Sequence, residues 1–215
     1  MTRMTVELAN IGKCYSGRYL FRQLNAAVQP GECLAITGCN GSGKSTLLKI
    51  IAGLIRPTHG LISLFANGSL IKKDQQAAVI GMVSPEVFFY QAMTAMENLR
   101  FLLSTRNRKA TEQEIRGWLC QAGLEKQGNK RVGSYSTGMC QRLKIAAVLA
   151  IDPPLIFLDE PASNLDTEGK AIAAQLITTS LASHKTLVIA SNESWETEYA
   201  THKITLSESV VGGSL

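Results

Sequence analysis

Short apolar runs and helical apolar repeats alternate along this chain of 215 residues. Mainly apolar runs occupy residues 33–37, 155–158 and 186–190, and runs of this kind are typical of strands buried on both faces of a parallel sheet. Residues 4–36 contain further short apolar segments, interrupted at Gly17 and Gly31, which predicts strands joined by tight turns. We therefore expect a sheet in the core.

Other segments have the apolar spacing of helices. The first begins after residue 46, and we expect Leu54 on its apolar face. The next covers about residues 96–123, where Thr111 and Glu114 form a candidate capping box, and it indicates a helical insert. The remaining helical segments are residues 139–152 and 168–181. This alternation of strands and helices predicts an α/β sheet core.

The most informative segment is a glycine-rich loop between the first buried strand and the helix after it. Its spacing, G-x-x-x-x-G-K-S, lets backbone N–H groups converge on phosphates, while Lys44 neutralises their charge and Ser45 ligates Mg²⁺. A glycine-rich turn with an incidental lysine is the alternative, which the flanking strand and helix disfavour. The residues expected to hold a nucleoside triphosphate are Gly38, Cys39, Asn40, Gly41, Ser42, Gly43, Lys44, Ser45 and Thr46.

Two carboxylates, Asp159 and Glu160, directly follow the buried run at residues 155–158. Open α/β sheets bind their ligands at the carboxyl ends of the strands. We expect Asp159 to face a metal ion and Glu160 to activate water, which is the division of labour for Mg²⁺-assisted transfer of a phosphoryl group to water. The alternative is a helix N-cap followed by an acidic residue in the first turn.

Composition limits the function classes. The net charge of +5 is dispersed along the chain, so we expect a solvated surface and no nucleic-acid partner. The five cysteines lack metal-ligand spacing and indicate free thiols in a reducing compartment. No apolar stretch reaches the roughly 18–20 residues of a membrane-spanning helix, so work at a membrane would need a partner. Residues 211–215 are expected to form a loose tail.

Four motifs, taken in order, resemble those of the nucleotide-binding subunits of ABC transporters over nearly the whole chain. Residues 38–46 match Walker A, and residues 155–160 match Walker B. Residues 136–139, Ser-Thr-Gly-Met, are similar to the family signature, although a helix cap would explain them equally well by themselves. Residues 163–166, Ser-Asn-Leu-Asp, resemble the D-loop.

The resemblance implies an α/β fold with a P-loop NTPase core. The core is expected to be RecA-like with a mainly parallel sheet, and to carry an N-terminal antiparallel β subdomain and a helical ABC-type insert. A single nucleotide-binding domain would cover residues 1–215, with the helical insert at about residues 87–145.

The resemblance also implies roles for single residues. Tyr15 stands where the family has an aromatic residue that stacks on adenine, which favours ATP; a half-buried strand tyrosine is the alternative. In this family each ATP lies between Walker A of one domain and the signature of another. Ser136 and Gly138 are therefore expected to bind the γ-phosphate across a dimer interface, and Asp166 to couple the two sites. The implied partners are a second copy of the domain and a multi-spanning membrane permease.

Two positions depart from the family pattern. Pro85 replaces a glutamine that contacts Mg²⁺, and we expect Glu86 to serve as metal ligand in its place; a solvated loop glutamate is the alternative. Asn192 replaces a switch histidine, and asparagine can donate a hydrogen bond to a γ-phosphate but cannot titrate. Because neither change touches Walker A or Walker B, we expect hydrolysis at a slow to ordinary rate.

The leading hypothesis is a cytoplasmic, Mg²⁺-dependent ATPase subunit, peripheral on the inner face of the cell membrane. It would drive a separate permease by closing as a dimer on ATP and reopening after hydrolysis. The short single-domain chain is similar to exporter-type subunits, including those of haem export for cytochrome c biogenesis. Two alternatives stay open: a non-transport ABC ATPase, and an ATP-binding regulatory module with weak hydrolysis, which Pro85 and Asn192 would favour.

Overall fold

The computed structural model describes residues 2–207, so the tail expected at residues 211–215 lies outside the described residues. The strands are β1 (Met4–Tyr15), β2 (Arg18–Val28), β3 (Cys33–Gly38), β4 (His59–Ala66), β5 (Ser69–Leu70), β6 (Ile80–Val83), β7 (Leu155–Asp159), β8 (Thr186–Ala190) and β9 (His202–Leu206). The helices are α1 (Lys44–Ile51), α2 (Gln76–Val79), α3 (Ala95–Thr105), α4 (Glu112–Gln121), α5 (Thr137–Ile151), α6 (Thr167–Ala182) and α7 (Ser194–Thr197).

An antiparallel sheet with the strand order β2-β1-β4-β5 forms one layer. β1 and β2 form a hairpin through Ser16 and Gly17, whose φ angles are +49° and +79°, so the predicted tight turn is confirmed. Val6 of β1 lies opposite Val28 of β2 and Leu64 of β4, and all three side chains are fully buried. This face of the sheet therefore packs on the core.

A parallel sheet with the order β6-β7-β8-β3-β9 forms the centre of the molecule. Every residue of β7 and β8 is buried, as the apolar runs predict. Alternate residues serve two cores: Phe157 packs with α1 and the antiparallel sheet, whereas Leu158 packs with α5 and α6. The predicted α/β architecture, with a parallel sheet and an N-terminal antiparallel sheet, is confirmed.

The end of α1 corrects one expectation. The helix stops at Ile51, and Gly53 takes a φ of +76°, which turns the chain away from the helix axis. Leu54 follows this turn and is 65% exposed. The prediction that Leu54 lies on the apolar face of the helix is therefore wrong, because that face ends before the left-handed turn.

α3, α4 and one face of α5 pack around an apolar cluster of their own, which includes Leu99, Leu119 and Leu143. The predicted capping box at α4 is confirmed, since the Thr111 side chain accepts from the Glu114 N–H group and Glu114 reaches back. α3 starts with a second box, at Thr94, that was not predicted. The limits of the helical insert, about residues 87–145, stay a prediction. The sequence did not reveal β4, β5 or β9.

Candidate active site

The carboxyl ends of four neighbouring strands form the site. β6, β7, β8 and β3 lie side by side and run parallel. Asp159 ends β7, Ser84 directly follows β6, and Gly38 ends β3. Because β8 lies between β7 and β3, Asn192 falls between Glu160 and the glycine-rich loop. The strand order thus gathers residues from distant parts of the sequence at one edge of the sheet.

The glycine-rich loop is a cradle of backbone groups. The φ angles of Gly38, Gly41 and Gly43 are +143°, +84° and +100°. The ammonium group of Lys44 is nearly buried and donates hydrogen bonds to the carbonyl oxygens of Gly38, at 2.9 Å, and Cys39, at 3.2 Å. The Oγ atom of Ser42 is buried and has no hydrogen-bond partner among the described residues. A lysine held only by carbonyls and an unpaired hydroxyl suit an incoming phosphate.

A cavity of about 420 Å³ opens above this loop. Its wall includes Tyr15, Leu20 and Glu160 in addition to loop residues 40, 41 and 43–46. The Tyr15 side chain is half exposed, and the Lys13 ammonium lies 4.7 Å from the centre of its ring. The structure thus brings Tyr15 to the loop, with a ring face available for stacking.

Asp159 is the buried carboxylate of the site. It is 3% exposed, and the Ser45 hydroxyl donates to its Oδ1 atom at 2.9 Å. Ser84, also buried, makes a longer contact of 3.5 Å with Oδ2. Burial raises the pKa of Asp159 and the charge of Glu160 adds to this rise, against which the two hydroxyls and Lys49 act. A cation beside Asp159 would offset the cost of burying its negative charge.

These donors fit Mg²⁺ better than a metal held wholly by protein. Within residues 2–207, no group of three or more His, Cys, Asp and Glu side chains is arranged for a metal ion. Ser45 and Asp159 supply one hydroxyl and one carboxylate, both hard oxygen donors. Mg²⁺ typically takes one or two protein oxygens and completes its octahedron with water and phosphate oxygens. The site therefore fits Mg²⁺ that arrives with a nucleotide.

Glu160 has an unusual backbone conformation. Its φ angle is +47°, in the left-handed region that a non-glycine residue rarely adopts, and its N–H group donates to the Ala190 carbonyl at 2.9 Å. Gln141 of α5 donates from its Nε2 atom to the Pro161 carbonyl at 2.9 Å. Backbone strain that the surroundings hold in place is concentrated at functional sites. The neighbouring strand β8 and the helix α5 together fix the backbone position from which the Glu160 side chain extends.

Asn192 contacts the glycine-rich loop directly. Its side-chain amide donates to Oδ1 of Asn40 at 2.8 Å, across 152 residues of sequence. A second cavity, of about 350 Å³, lies on this side of Glu160 and is also lined by Asn192 and Glu196. The place of the expected switch residue is thus next to the loop and to the candidate water-activating carboxylate.

Glu86 lies apart from Asp159. Its carboxylate pairs with the Lys49 ammonium of α1, and its side chain is 67% exposed. Its N–H group makes a contact of 3.4 Å with the Ser84 hydroxyl. In this structure, Ser84 rather than Glu86 contacts the candidate metal carboxylate.

The signature and D-loop residues serve helix ends within the single chain. Ser136 caps α5 by accepting from the Met139 N–H group at 3.2 Å, and Gly138 lies in the first turn. Asp166 caps α6 and accepts from the Arg142 guanidinium at 2.7 Å. None of Ser136, Gly138 and Asp166 is among the described residues that line the cavity above the loop.

Sequence reasoning missed several residues around the site. They are Leu20, Lys49, Ser84, Gln141 and Glu196. Ser84 carried a usable signal, since it is a polar residue at the end of a predicted strand beside Asp159. Glu196 carried none, because its burial depends on how the segment after β8 folds back on the loop after β7.

Comparisons with known proteins identify the family. Residues 21–163 match the family model described as ABC transporter. The chain is 31% identical to the Nod factor export ATP-binding protein I of Rhizobium leguminosarum bv. viciae, over 97% of this chain and 68% of that protein. It is 32% identical to the bacitracin transport ATP-binding protein BcrA of Bacillus licheniformis, over 86% and 60% of the two chains. It is also 35% identical to the uncharacterised ABC transporter ATP-binding protein YxlF of Bacillus subtilis, of which it spans 55%.

Solved structures have the same fold. A dimeric, post-hydrolysis structure of the ATP-binding cassette MJ0796, bound to ADP and Pi, superposes with a TM-score of 0.81 at 28% identity and covers 94% of this chain and 96% of that one. No helix within residues 2–207 has the length and apolar character needed to cross a bilayer. With its family match, its relatives and its cassette fold, the chain belongs to the ABC transporter family.

Proposed function

We propose that this chain binds and hydrolyses Mg²⁺-ATP and so drives a separate membrane-spanning permease. One observation carries the proposal: Ser45, Asp159 and Glu160 meet beside the glycine-rich loop, although they lie on different elements. That arrangement provides a phosphate cradle, a metal-facing pair and a carboxylate for water at one edge of the sheet.

Lys44 and the loop bind the phosphates. The Lys44 ammonium exchanges the Gly38 and Cys39 carbonyls for oxygens of the β- and γ-phosphates, and the Ser42 hydroxyl gains the partner it lacks. Tyr15 stacks on the adenine ring. Ser45 and Asp159 would hold Mg²⁺, which when bound neutralises the charge that develops on the phosphoryl oxygens.

Glu160 orients the attacking water and accepts its proton. A bond forms between the water oxygen and the γ-phosphorus as the bond to the bridging β–γ oxygen breaks, and ADP leaves with that electron pair. Asn192, held against Asn40, donates its amide toward the γ-phosphate as the switch residue. Glu86 remains a candidate metal ligand only if it leaves Lys49 when nucleotide binds.

The complete site is proposed to need a second copy of the chain. Ser136 and Gly138 sit at the N-terminus of a 15-residue helix, where backbone N–H groups and the helix dipole favour a phosphate. Since they do not line the cavity of their own chain, we assign them to the γ-phosphate bound by the partner copy. Asp166 ends the loop that begins at Glu160, and it would link the two nucleotide sites of the dimer.

The names of the relatives support the proposed permease and location. Relatives are named for Nod factor export and for bacitracin transport, so ATP-binding subunits of one kind serve different cargoes. We assign the choice of cargo to the permease and place this chain on the cytoplasmic face of the membrane. A haem-export role stays a hypothesis.

The test is ATP turnover by the chain, alone and reconstituted with its permease, beside a Glu160→Gln variant. We expect Mg²⁺-dependent phosphate release that falls at least 100-fold in the variant, because the proton acceptor is lost while the shape is kept. In sedimentation velocity, the variant should dimerise with ATP and remain monomeric with ADP. If the Glu160→Gln variant releases phosphate as fast as wild type, both alone and with the permease, the proposed function is refuted.

A regulatory module with weak hydrolysis is the second candidate. The observation that favours it is the replacement of two expected γ-phosphate and metal contacts by Pro85 and Asn192. In that case, the wild-type chain would dimerise with ATP and persist as a dimer over hours without releasing phosphate.

A further inference from the structure

Glu196 of α7 is a buried carboxyl group that the proposed mechanism does not use. Its side chain is 1% exposed. Its Oε1 atom accepts a hydrogen bond of 3.0 Å from the Ala162 N–H group, and its Oε2 atom is buried with no hydrogen-bond partner among the described residues. A buried carboxyl with one good hydrogen bond costs stability, and this one lies beside the loop that carries Glu160.

The hydrogen bond acts on the loop that carries Glu160. Within this loop, the Ser163 N–H group donates to the Glu160 carbonyl, and the Leu165 N–H group donates to the Ala162 carbonyl. These hydrogen bonds close two successive turns. From outside, Gln141 donates to the Pro161 carbonyl and Glu196 accepts from Ala162. The loop is thus held between α5 on one side and α7 on the other.

The surroundings of Glu196 favour its neutral form. It faces Glu160 and Glu193 across the second cavity, and the nearest cation of that cavity, Lys170, is paired at 3.9 Å with Glu193. Burial raises the pKa of Glu196, and the two glutamates raise it further, while Ser191 and the Ala162 amide oppose the rise. A neutral acid accepts from Ala162 through Oε1 and leaves Oε2 without the charge that burial penalises.

We propose that Glu196 is a positioning residue for hydrolysis, which holds the Ala162 amide and thereby fixes the turn from which the Glu160 carboxylate reaches the attacking water. It couples this turn to Asn192, because both residues lie on the segment that follows β8. The inference rests on the proposed ATP hydrolysis. It adds a residue that touches neither nucleotide nor metal.

The test compares Glu196→Ala, Glu196→Gln and the surface control Glu198→Ala. We expect Glu196→Ala to lower kcat at least tenfold while the Kd of a fluorescent ATP analogue changes less than twofold, because the glycine-rich loop is untouched. Glu196→Gln keeps the acceptor and a donor and should retain kcat within about threefold. Glu198→Ala, exposed on the same segment, should behave as wild type.

A pH series separates positioning from a general structural role. As the pH rises through the raised pKa of Glu196, ionised Glu196 repels Glu160, so the ratio of wild-type kcat to Glu196→Gln kcat should fall. A flat ratio, an alanine variant with full kcat, or a glutamine variant as poor as alanine would each overturn the proposal. If the alanine variant does not fold, the glutamine variant and its pH ratio decide. If wild type shows no ATP turnover that depends on Glu160, the proposed function is refuted instead.

Discussion

The side-chain amide of Asn192 donates a hydrogen bond of 2.8 Å to Oδ1 of Asn40 and so joins the segment after β8 to the glycine-rich loop. Asn40 lines both the cavity above the loop and the second cavity beside Glu160. Any movement of Asn40 would therefore act directly on Asn192, which precedes α7.

Removal of this hydrogen bond should slow turnover. We expect Asn192→Ala to lower kcat about fivefold, as the loss of one neutral hydrogen bond worth about 1 kcal/mol implies, and Asn192→Gln to recover little because its amide is displaced by a methylene. Steady-state phosphate release measures the effect. Asn67→Ala, in the remote turn between β4 and β5, is the matched control; equal rates for both alanine variants would contradict a role for Asn192.

Lys44 should control nucleotide affinity. Its ammonium group is nearly buried and satisfied only by two carbonyls in this structure, and phosphate oxygens are stronger, charged acceptors. We expect Lys44→Ala to weaken ATP binding about 10- to 100-fold, since hydrogen bonds to charged groups contribute about 1.5–3 kcal/mol. Equilibrium titration with a fluorescent analogue provides the measurement. Lys72→Ala removes an exposed lysine that follows β5, far from the glycine-rich loop, and should leave ATP binding unchanged.

The Mg²⁺ requirement should depend on Ser84 more than on Glu86. Ser84 contacts Asp159, whereas the Glu86 carboxylate is exposed and paired with Lys49. We expect Ser84→Ala to raise the Mg²⁺ concentration for half-maximal turnover severalfold and Glu86→Gln to leave it within twofold. The reverse order would show that Glu86 leaves Lys49 and replaces the missing glutamine as metal ligand.

Stability should depend on pH through Glu196. Its pKa is raised in the folded state, so the folded form binds a proton more tightly than the unfolded form. Wild type should match Glu196→Gln below about pH 4.3, the ordinary glutamate pKa, and lose stability relative to it as the pH rises through the raised value. Urea unfolding at about pH 4 and about pH 8 measures the difference, and a difference independent of pH would contradict the buried neutral acid.

Two glycines of the loop should differ in their tolerance of alanine. A Cβ atom on Gly38 would lie 2.3 Å from the carbonyl oxygen of Leu206, a backbone atom of β9 that cannot move aside. A Cβ atom on Gly41 would meet nothing within 4 Å, so Gly41→Ala pays mainly for its positive φ, about 1–2 kcal/mol. We expect Gly38→Ala to lower the free energy of unfolding clearly more than Gly41→Ala. Equal urea midpoints would contradict the close approach of β9.

Local spacing made much of this protein predictable. The glycine-rich loop, the carboxylates at the end of β7 and the capping box of α4 each depend on residues within a few positions of one another. The buried strands were equally clear, because both of their faces are covered and their sequences are nearly all apolar. The prediction for Leu54 is wrong because the left-handed turn at Gly53 ends the helix, whereas the apolar repeat continues in the sequence.

The sequence by itself therefore determined the glycine-rich loop, the two carboxylates at the end of β7 and the fold class, since these are encoded in short spacings. Only the tertiary structure decided which distant residues meet: Asn192 with Asn40, Ser84 with Asp159, and Glu196 with the loop after β7. The physical reason is the strand order β6-β7-β8-β3, which is fixed by hydrogen bonds between strands and by burial on both faces. No local pattern of side chains specifies that order.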